Sequence, residues 1–133
     1  MKKENWDILL ADFIESRRQT PFQWGVHDCT LFAVDAALAM TGIDLASDYR
    51  GTYNSEIGAS RIIAKAGGTL RALVNQHGQE VPSRMAQRGD WVLIKQDGSE
   101  ALAVCVGVKL VAAGPNGLVQ HPMSKAIAAW RIN

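Results

Sequence analysis

The sequence predicts an α+β domain in which N-terminal helices pack on a C-terminal antiparallel β-sheet. Hydrophobic residues recur at helical spacing through the first half of the chain, and after Gly78 they alternate as they do in strands. Helices followed by strands are typical of α+β proteins. With 133 residues, 47% hydrophobic and 20% charged, the chain has the length and composition of one folded unit, so we assign residues 1–133 to a single domain.

Four helices are predicted before Gly78, each from its own pattern. Trp6 and the apolar residues that follow at helical spacing indicate an amphipathic first helix. Asp28 offers an N-cap oxygen to a second helix that is apolar nearly all round and is therefore expected to be buried. Gly42 ends that helix as a C-cap glycine. The predicted helices span residues 4–18, 29–40, 56–66 and 69–76.

The second half of the chain predicts a sheet made of short strands. Asp97-Gly98 is a strong hairpin signal between two apolar runs. Gly114-Pro-Asn-Gly117 indicates a second turn, and it has neither the spacing of a phosphate-binding loop nor that of a dinucleotide fingerprint. The predicted strands span residues 91–95, 101–108, 110–113, 118–119 and 128–132.

Composition excludes several classes of function. A net charge of +1 with no Lys/Arg stripe argues against a nucleic-acid partner. No stretch reaches the length of about 20 apolar residues that spans a bilayer, so no membrane partner is expected. The first six residues lack the apolar core of a signal peptide, and we expect the protein to be cytoplasmic on synthesis. Two cysteines are too few for a disulfide framework or a zinc site, and no cofactor is predicted.

Cys29 is the candidate nucleophile because it stands where a loop turns into a helix. The helix dipole and the free N–H groups of the first turn favour a thiolate there. His27-Asp28-Cys29 also contains three metal-ligand types, but Asp28 is better used as an N-cap, so no metal site is predicted. Cys105 is expected to be a small buried hydrophobe on a strand face, shared with Ala101 and Ala103, that packs against the Cys29 helix.

A group of short motifs resembles the NlpC-type branch of the papain-like cysteine peptidases. Members of that family commonly hydrolyse peptide bonds in bacterial cell-wall peptides, and phages carry versions in tail proteins. The segment Tyr49–Tyr53 and the closing Ala-Trp-Arg are similar to a small phage and prophage branch, which implies a tail-associated protein. The residues that carry the family resemblance are Trp24, Gly25, Asp28, Cys29, Gly89, Asp90 and Gly107.

The resemblance implies a catalytic histidine at the head of the second sheet strand, and Ala101 holds that position here. The active site is therefore expected to be degenerate. Two other histidines are candidate bases: His121, after the strand at 118–119, and His27, two residues before Cys29. His77 is expected to satisfy backbone carbonyls at the end of a helix.

A loop that carries Arg50 and Tyr53 is expected beside the cleft, where binding residues concentrate. The alternative is a packed loop in which Arg50 pairs with Asp44 or Asp48. The residues predicted at the rim of the cleft are Trp24, Asp28, Arg50 and Tyr53.

Two functions from different classes remain open at this point. The first is a non-catalytic NlpC-like module of a phage or prophage tail that binds a partner protein during assembly. The second is an active cysteine peptidase or amidase on cell-wall peptides, with Cys29 as nucleophile and His121 or His27 as base. The partners implied are phage tail or other virion proteins, or a peptidoglycan peptide, and the protein would then be associated with the virion.

Overall fold

The structure, a computed structural model, describes residues 1–133 and contains four α-helices, six strands and two short 3-10 helices, Ser83–Met85 and Met123–Lys125. The helices are α1 (Trp6–Arg17), α2 (Cys29–Thr41), α3 (Glu56–Lys65) and α4 (Leu70–Asn75). The strands are β1 (Gln79–Val81), β2 (Trp91–Gln96), β3 (Ser99–Cys105), β4 (Lys109–Gly114), β5 (Gly117–Pro122) and β6 (Ala128–Arg131). No helix is both long enough and apolar enough to cross a membrane. The predicted α+β class is confirmed.

The caps of α2 fix where the central helix begins and ends. The Asp28 carboxylate accepts a hydrogen bond from the backbone N–H of Leu31 at 2.9 Å, which satisfies one free donor of the first turn. Gly42 closes the helix in the left-handed conformation, with φ of 80°. Most of α2 is buried, as its apolar sequence predicted.

All strand pairs in the sheet are antiparallel, in the order β1-β6-β2-β3-β4-β5. Asp97 and Gly98 both have positive φ, 53° and 82°, which is the geometry of a two-residue hairpin turn. Strand β1 was not predicted, because its three residues are polar or partly exposed and carry no alternating pattern. These residues form a strand because they pair with β6.

Two hydrophobic clusters lie on opposite faces of the sheet. Helix α2 packs on the face that carries Leu102 and Val104. The opposite face carries the small residues Ala101, Ala103 and Cys105 and forms a second cluster, against which Cys29 packs as a partly buried side chain. The expectation that the small-residue face receives the Cys29 helix was therefore wrong: period-two alternation identifies two strand faces but does not say which one a helix covers.

Candidate functional site

The Cys29 side chain is half-buried at the start of α2 and opens onto a cleft of ≈ 470 Å³. The cleft lies between the loop before α2, the β2–β3 hairpin and the end of β4. Its lining includes Phe22, Trp24, Gln96, Asp97, Glu100 and Ala101. Hence Ala101, at the position where the family resemblance implies a histidine, does lie in the same cleft as Cys29.

The Asp28 side chain forms hydrogen bonds at the start of α2 and does not line the cleft. It is 1% exposed, and its second carboxylate oxygen accepts from the Gly25 N–H at 3.0 Å and from the Tyr53 hydroxyl at 2.5 Å. Gly25 has φ of +78°, and a Cβ there would collide with the Tyr53 carbonyl oxygen, so the Trp-Gly motif is a packing requirement. Burial and the hydrogen bond to Asp28 raise the pKa of Tyr53 far above its ordinary value.

The Cys29 thiol has no ionic partner. Its sulfur lies 3.9 Å from the Thr30 hydroxyl oxygen. Burial raises the pKa of the thiol above its ordinary value, and the Asp28 carboxylate raises it further, whereas the Leu102 N–H opposes the shift. The thiol is therefore protonated at neutral pH, although it begins a helix.

The lone pair of His27 is already engaged. Its Nδ1 lies 3.0 Å from an Arg17 guanidinium nitrogen. A guanidinium can only donate, so Nδ1 accepts and the remaining ring nitrogen, Nε2, carries the hydrogen. That Nε2 is buried without a hydrogen-bond partner. Burial and the Arg17 charge lower the pKa of His27, so the ring is neutral at pH 7 and has no lone pair left for the Cys29 thiol.

His121 is joined to the cleft through Gln96. Its Nε2 lies 2.7 Å from the Gln96 side-chain oxygen, and the Gln96 amide nitrogen donates to the Ala113 carbonyl at 3.1 Å. The second bond fixes the amide orientation, so the His121 Nε2 must donate. Gln96 was missed in the sequence because it ends a strand next to a turn signal, and no spacing rule singles it out.

None of the three histidines forms a hydrogen bond with Cys29. His77, the third, lies with its Nε2 3.5 Å from the Tyr49 hydroxyl and packs edge-on against Trp91. Of the predicted catalytic set, the structure places Cys29 in the cleft, His121 one side chain away from the cleft, and His27 in a different network.

Arg50 belongs to a partly buried ionic network whose residues do not line the cleft. It bonds Asp44 at 2.9 Å and Asp35 at 2.7 Å, and Asp35 also pairs with Arg17 at 3.2 Å. The hydrogen bond from Arg50 lowers the pKa of Asp44. The pairing with Asp44 was one of the two predicted alternatives. Asp35 was missed because it is a single acid within an apolar helix.

The cleft lining contains Trp24 but not Asp28, Arg50 or Tyr53. Trp24 stacks edge-on against Phe22, with the ring centroids 4.8 Å apart. No three His, Cys, Asp or Glu side chains converge anywhere in the structure to form a metal site.

Comparison with known families adds to this geometry. The family described as Domain of unknown function (DUF6950) matches residues 1–132. The chain belongs to the DUF6950 family. A comparison of this DUF6950 chain with curated proteins gives no match.

Among solved structures, this DUF6950 domain is similar to the NlpC/p60 domain of the peptidoglycan hydrolase SagA. The two superpose with a TM-score of 0.60 over 94% of this chain and 97% of that chain, at 16% sequence identity. The predicted papain-like, NlpC-type fold is confirmed by this likeness. At this identity the likeness concerns the fold alone.

Proposed function

We propose that this DUF6950 domain is a catalytically degenerate NlpC-like module that acts by binding a partner protein in the Cys29 cleft. The fold is that of a peptidoglycan hydrolase domain. The setting we propose is a phage or prophage tail, where the module would act in assembly. That setting rests on the resemblance of the Tyr49–Tyr53 segment and the closing Ala-Trp-Arg to a tail-associated branch.

The observation that supports a degenerate active site is that no imidazole nitrogen accepts a hydrogen bond from the Cys29 thiol. Amide hydrolysis needs a base that takes the thiol proton and later returns it to the leaving amine. The His27 lone pair is used by Arg17, and the His121 Nε2 donates to the Gln96 side-chain oxygen. A thiol of raised pKa is also a poor nucleophile at pH 7. Both the nucleophile and the base needed for amide hydrolysis are therefore weak in this site.

The cleft is suited to a partner segment that carries lysine or arginine. Its lining contains two carboxylates, Asp97 and Glu100, and no basic side chain. Neither carboxylate is engaged in an ion pair within the molecule. The Trp24 ring adds an aromatic surface on which a cation can rest.

The alternative function is an active cysteine peptidase or amidase on cell-wall peptides. The observation in its favour is that Cys29 begins the central helix inside the cleft, with His121 only one side chain away through Gln96. For His121 to act as base, the Gln96 side chain has to swing out and let the ring turn an acceptor nitrogen toward the sulfur. This would require loss of the Gln96 bond to Ala113 as well.

Hydrolysis of peptidoglycan fragments separates the two functions. Purified protein is incubated with muropeptides at pH 6, 7 and 8, and released products are quantified by mass spectrometry beside the Cys29→Ala variant. We expect no turnover above that variant. Release that depends on Cys29 would overturn the degenerate site. Retention of turnover in Gln96→Ala, with loss in His121→Gln, would then assign His121 as the base.

A further inference from the structure

A second groove lies between α1 and strands β4 and β5, and it shares no lining residue with the Cys29 cleft. Its volume is ≈ 420 Å³. The floor is apolar and continuous with the hydrophobic core, since its partly exposed side chains pack directly against core residues. The floor residues of this α1–β5 groove are Ile14, Val106, Val111 and Leu118.

The walls of the α1–β5 groove are basic. Arg18, Arg88 and Lys109 line it, beside a single acid, Glu15, which pairs with Arg18 at 3.1 Å. Arg88 is held in place because it donates to the Val106 carbonyl at 2.8 Å. Neither Arg88 nor Lys109 has a carboxylate partner within the molecule. Two positive charges that no carboxylate of the molecule neutralises therefore flank the apolar floor.

The edge of the sheet runs along this groove with an open backbone donor. Strand β5 is the outermost strand, and the Leu118 N–H points outward to the Arg18 carbonyl at 3.0 Å. Outward N–H groups alternate along an edge strand, so the next one belongs to Gln120. That N–H has no hydrogen-bond partner in the molecule, and the Gln120 side chain lines the groove.

We propose that the α1–β5 groove binds an extended acidic segment of another protein, which adds to β5 as a further strand. The partner backbone pairs with Gln120, and every second side chain of the partner faces the groove. Among these, apolar side chains rest on the floor and carboxylates pair with Arg88 and Lys109. Strand addition of this kind takes affinity from backbone bonds and specificity from alternate side chains. The inference is independent of the proposed function, because the groove is separate from the Cys29 cleft.

The probe is an eight-residue peptide of sequence Glu-Thr-Val-Thr-Glu-Thr-Val-Thr, which places glutamate and valine on the same face of a strand, titrated into ¹⁵N-labelled protein and followed by NMR. A peptide with lysine in place of each glutamate is the matched control. We expect saturable shifts centred on the Gln120 amide with the acidic peptide and none there with the basic one. Affinity should fall as salt rises from 50 to 300 mM, because exposed charges are screened over about 10 Å at 0.1 M.

Two variants test charge and backbone pairing separately. Lys109→Glu should weaken binding about tenfold by reversing a charge at the wall. Gln120→Pro should weaken binding about fivefold, since it removes one backbone donor; proline is tolerated on an edge strand where its nitrogen faces solvent. Gln120→Ala keeps the N–H and is the matched control. The ¹⁵N spectrum of each variant shows whether it is folded.

Three results would overturn the proposal: no shifts at millimolar acidic peptide, equal shifts with the basic peptide, or equal affinity of the Gln120→Pro and Gln120→Ala variants. Concentration-dependent dimerisation by analytical ultracentrifugation that Lys109→Glu abolishes would also contradict it, because the occupant of the groove would then be a second copy of this chain.

Discussion

Two effects of opposite sign act on the pKa of the Cys29 thiol. The start of a helix favours a thiolate by about 0.3–1 kcal/mol, and by about 2 kcal/mol in partly buried geometries. Burial acts in the opposite direction, because removal of a thiolate from water raises the pKa of the thiol. The pKa of Cys29 is raised, so burial outweighs the helix start although the side chain is only half-buried. A helix N-terminus therefore does not by itself make this cysteine reactive.

The first prediction concerns the reactivity of Cys29 and the role of Ala101. Alkylation by iodoacetamide, followed by peptide mass spectrometry against pH, should give a midpoint above the ordinary thiol value of about 8.5, because the thiol is desolvated. In the Ala101→His variant, an imidazole enters the cleft beside Cys29. We expect its alkylation at pH 6.5 to be at least about tenfold faster, since an imidazolium favours the thiolate.

Ala101→Gln is the control for that prediction, since its side chain is of similar size and cannot titrate. Both variants add volume at a position that is 6% exposed, so each is first checked for folding by circular dichroism. A wild-type midpoint below the ordinary value would contradict the raised pKa. Equal reactivity in the His and Gln variants would show that position 101 does not face the sulfur.

At the scale of single elements, the start of α2 depends on one carboxylate that three groups share. Asp28→Ala removes the N-cap and leaves the Tyr53 hydroxyl and the Gly25 N–H without an acceptor. Loss of a cap costs about 0.5–2 kcal/mol, and a stranded buried polar group about 1–3 kcal/mol. We expect the free energy of unfolding to fall by about 2–4 kcal/mol, measured by urea denaturation.

Tyr53→Phe is the matched variant for the Asp28 prediction. It removes one of the three hydrogen bonds and leaves the N-cap intact, so we expect a loss of about 1 kcal/mol. An Asp28→Ala variant no less stable than Tyr53→Phe would show that the cap contributes nothing. In that case the Asp-Cys motif would have to be explained by chemistry rather than by folding.

Most elements could be predicted from the sequence because their signals are local. The N-cap at Asp28, the C-cap glycine at Gly42 and the Asp97-Gly98 turn each depend on neighbours in the chain, and each stands where it was predicted. Strand β1 could not be predicted, since only its pairing with β6 makes it a strand.

The candidate site was predictable in part. Cys29 and Ala101 share the cleft, as the family resemblance implied. The partners of the histidines could not be predicted, because Arg17 and Gln96 reach them through the tertiary fold. Sequence spacing indicates which residues lie near the nucleophile, but the direction of each lone pair is set by side chains from other elements.

At the scale of the whole molecule, one ionic network connects α1, α2 and the segment that follows α2. It runs from His27 through Arg17 to Asp35, and from there through Arg50 to Asp44. Asp35 is the buried centre of this network, and both of its partners are arginines that are only partly exposed. Substitutions that add or remove a charge within this network should therefore change the free energy of unfolding of the whole domain.

Stability against pH is the prediction that belongs to this network. The pKa of His27 is lowered in the folded protein by burial and by Arg17, while Asp35 and Asp28 oppose the shift. The unfolded chain therefore binds more protons than the folded one below the ordinary histidine value of about 6.5. Stability that is full above pH 6.5 is lost as the pH falls through the folded pKa, by at most about 1.4 kcal/mol per pH unit for this group.

Urea denaturation at pH 7.5, 6.5, 5.5 and 5.0 measures that dependence. His27→Gln removes the titration and keeps an acceptor oxygen for Arg17, so we expect a flatter profile than in the wild type. His77, whose pKa burial also lowers, contributes to the same window, and the double variant His27→Gln/His77→Gln should be flatter still. A profile that His27→Gln leaves unchanged would show that the pKa of His27 is the same in the folded and the unfolded chain. That result would contradict the lowered pKa of His27.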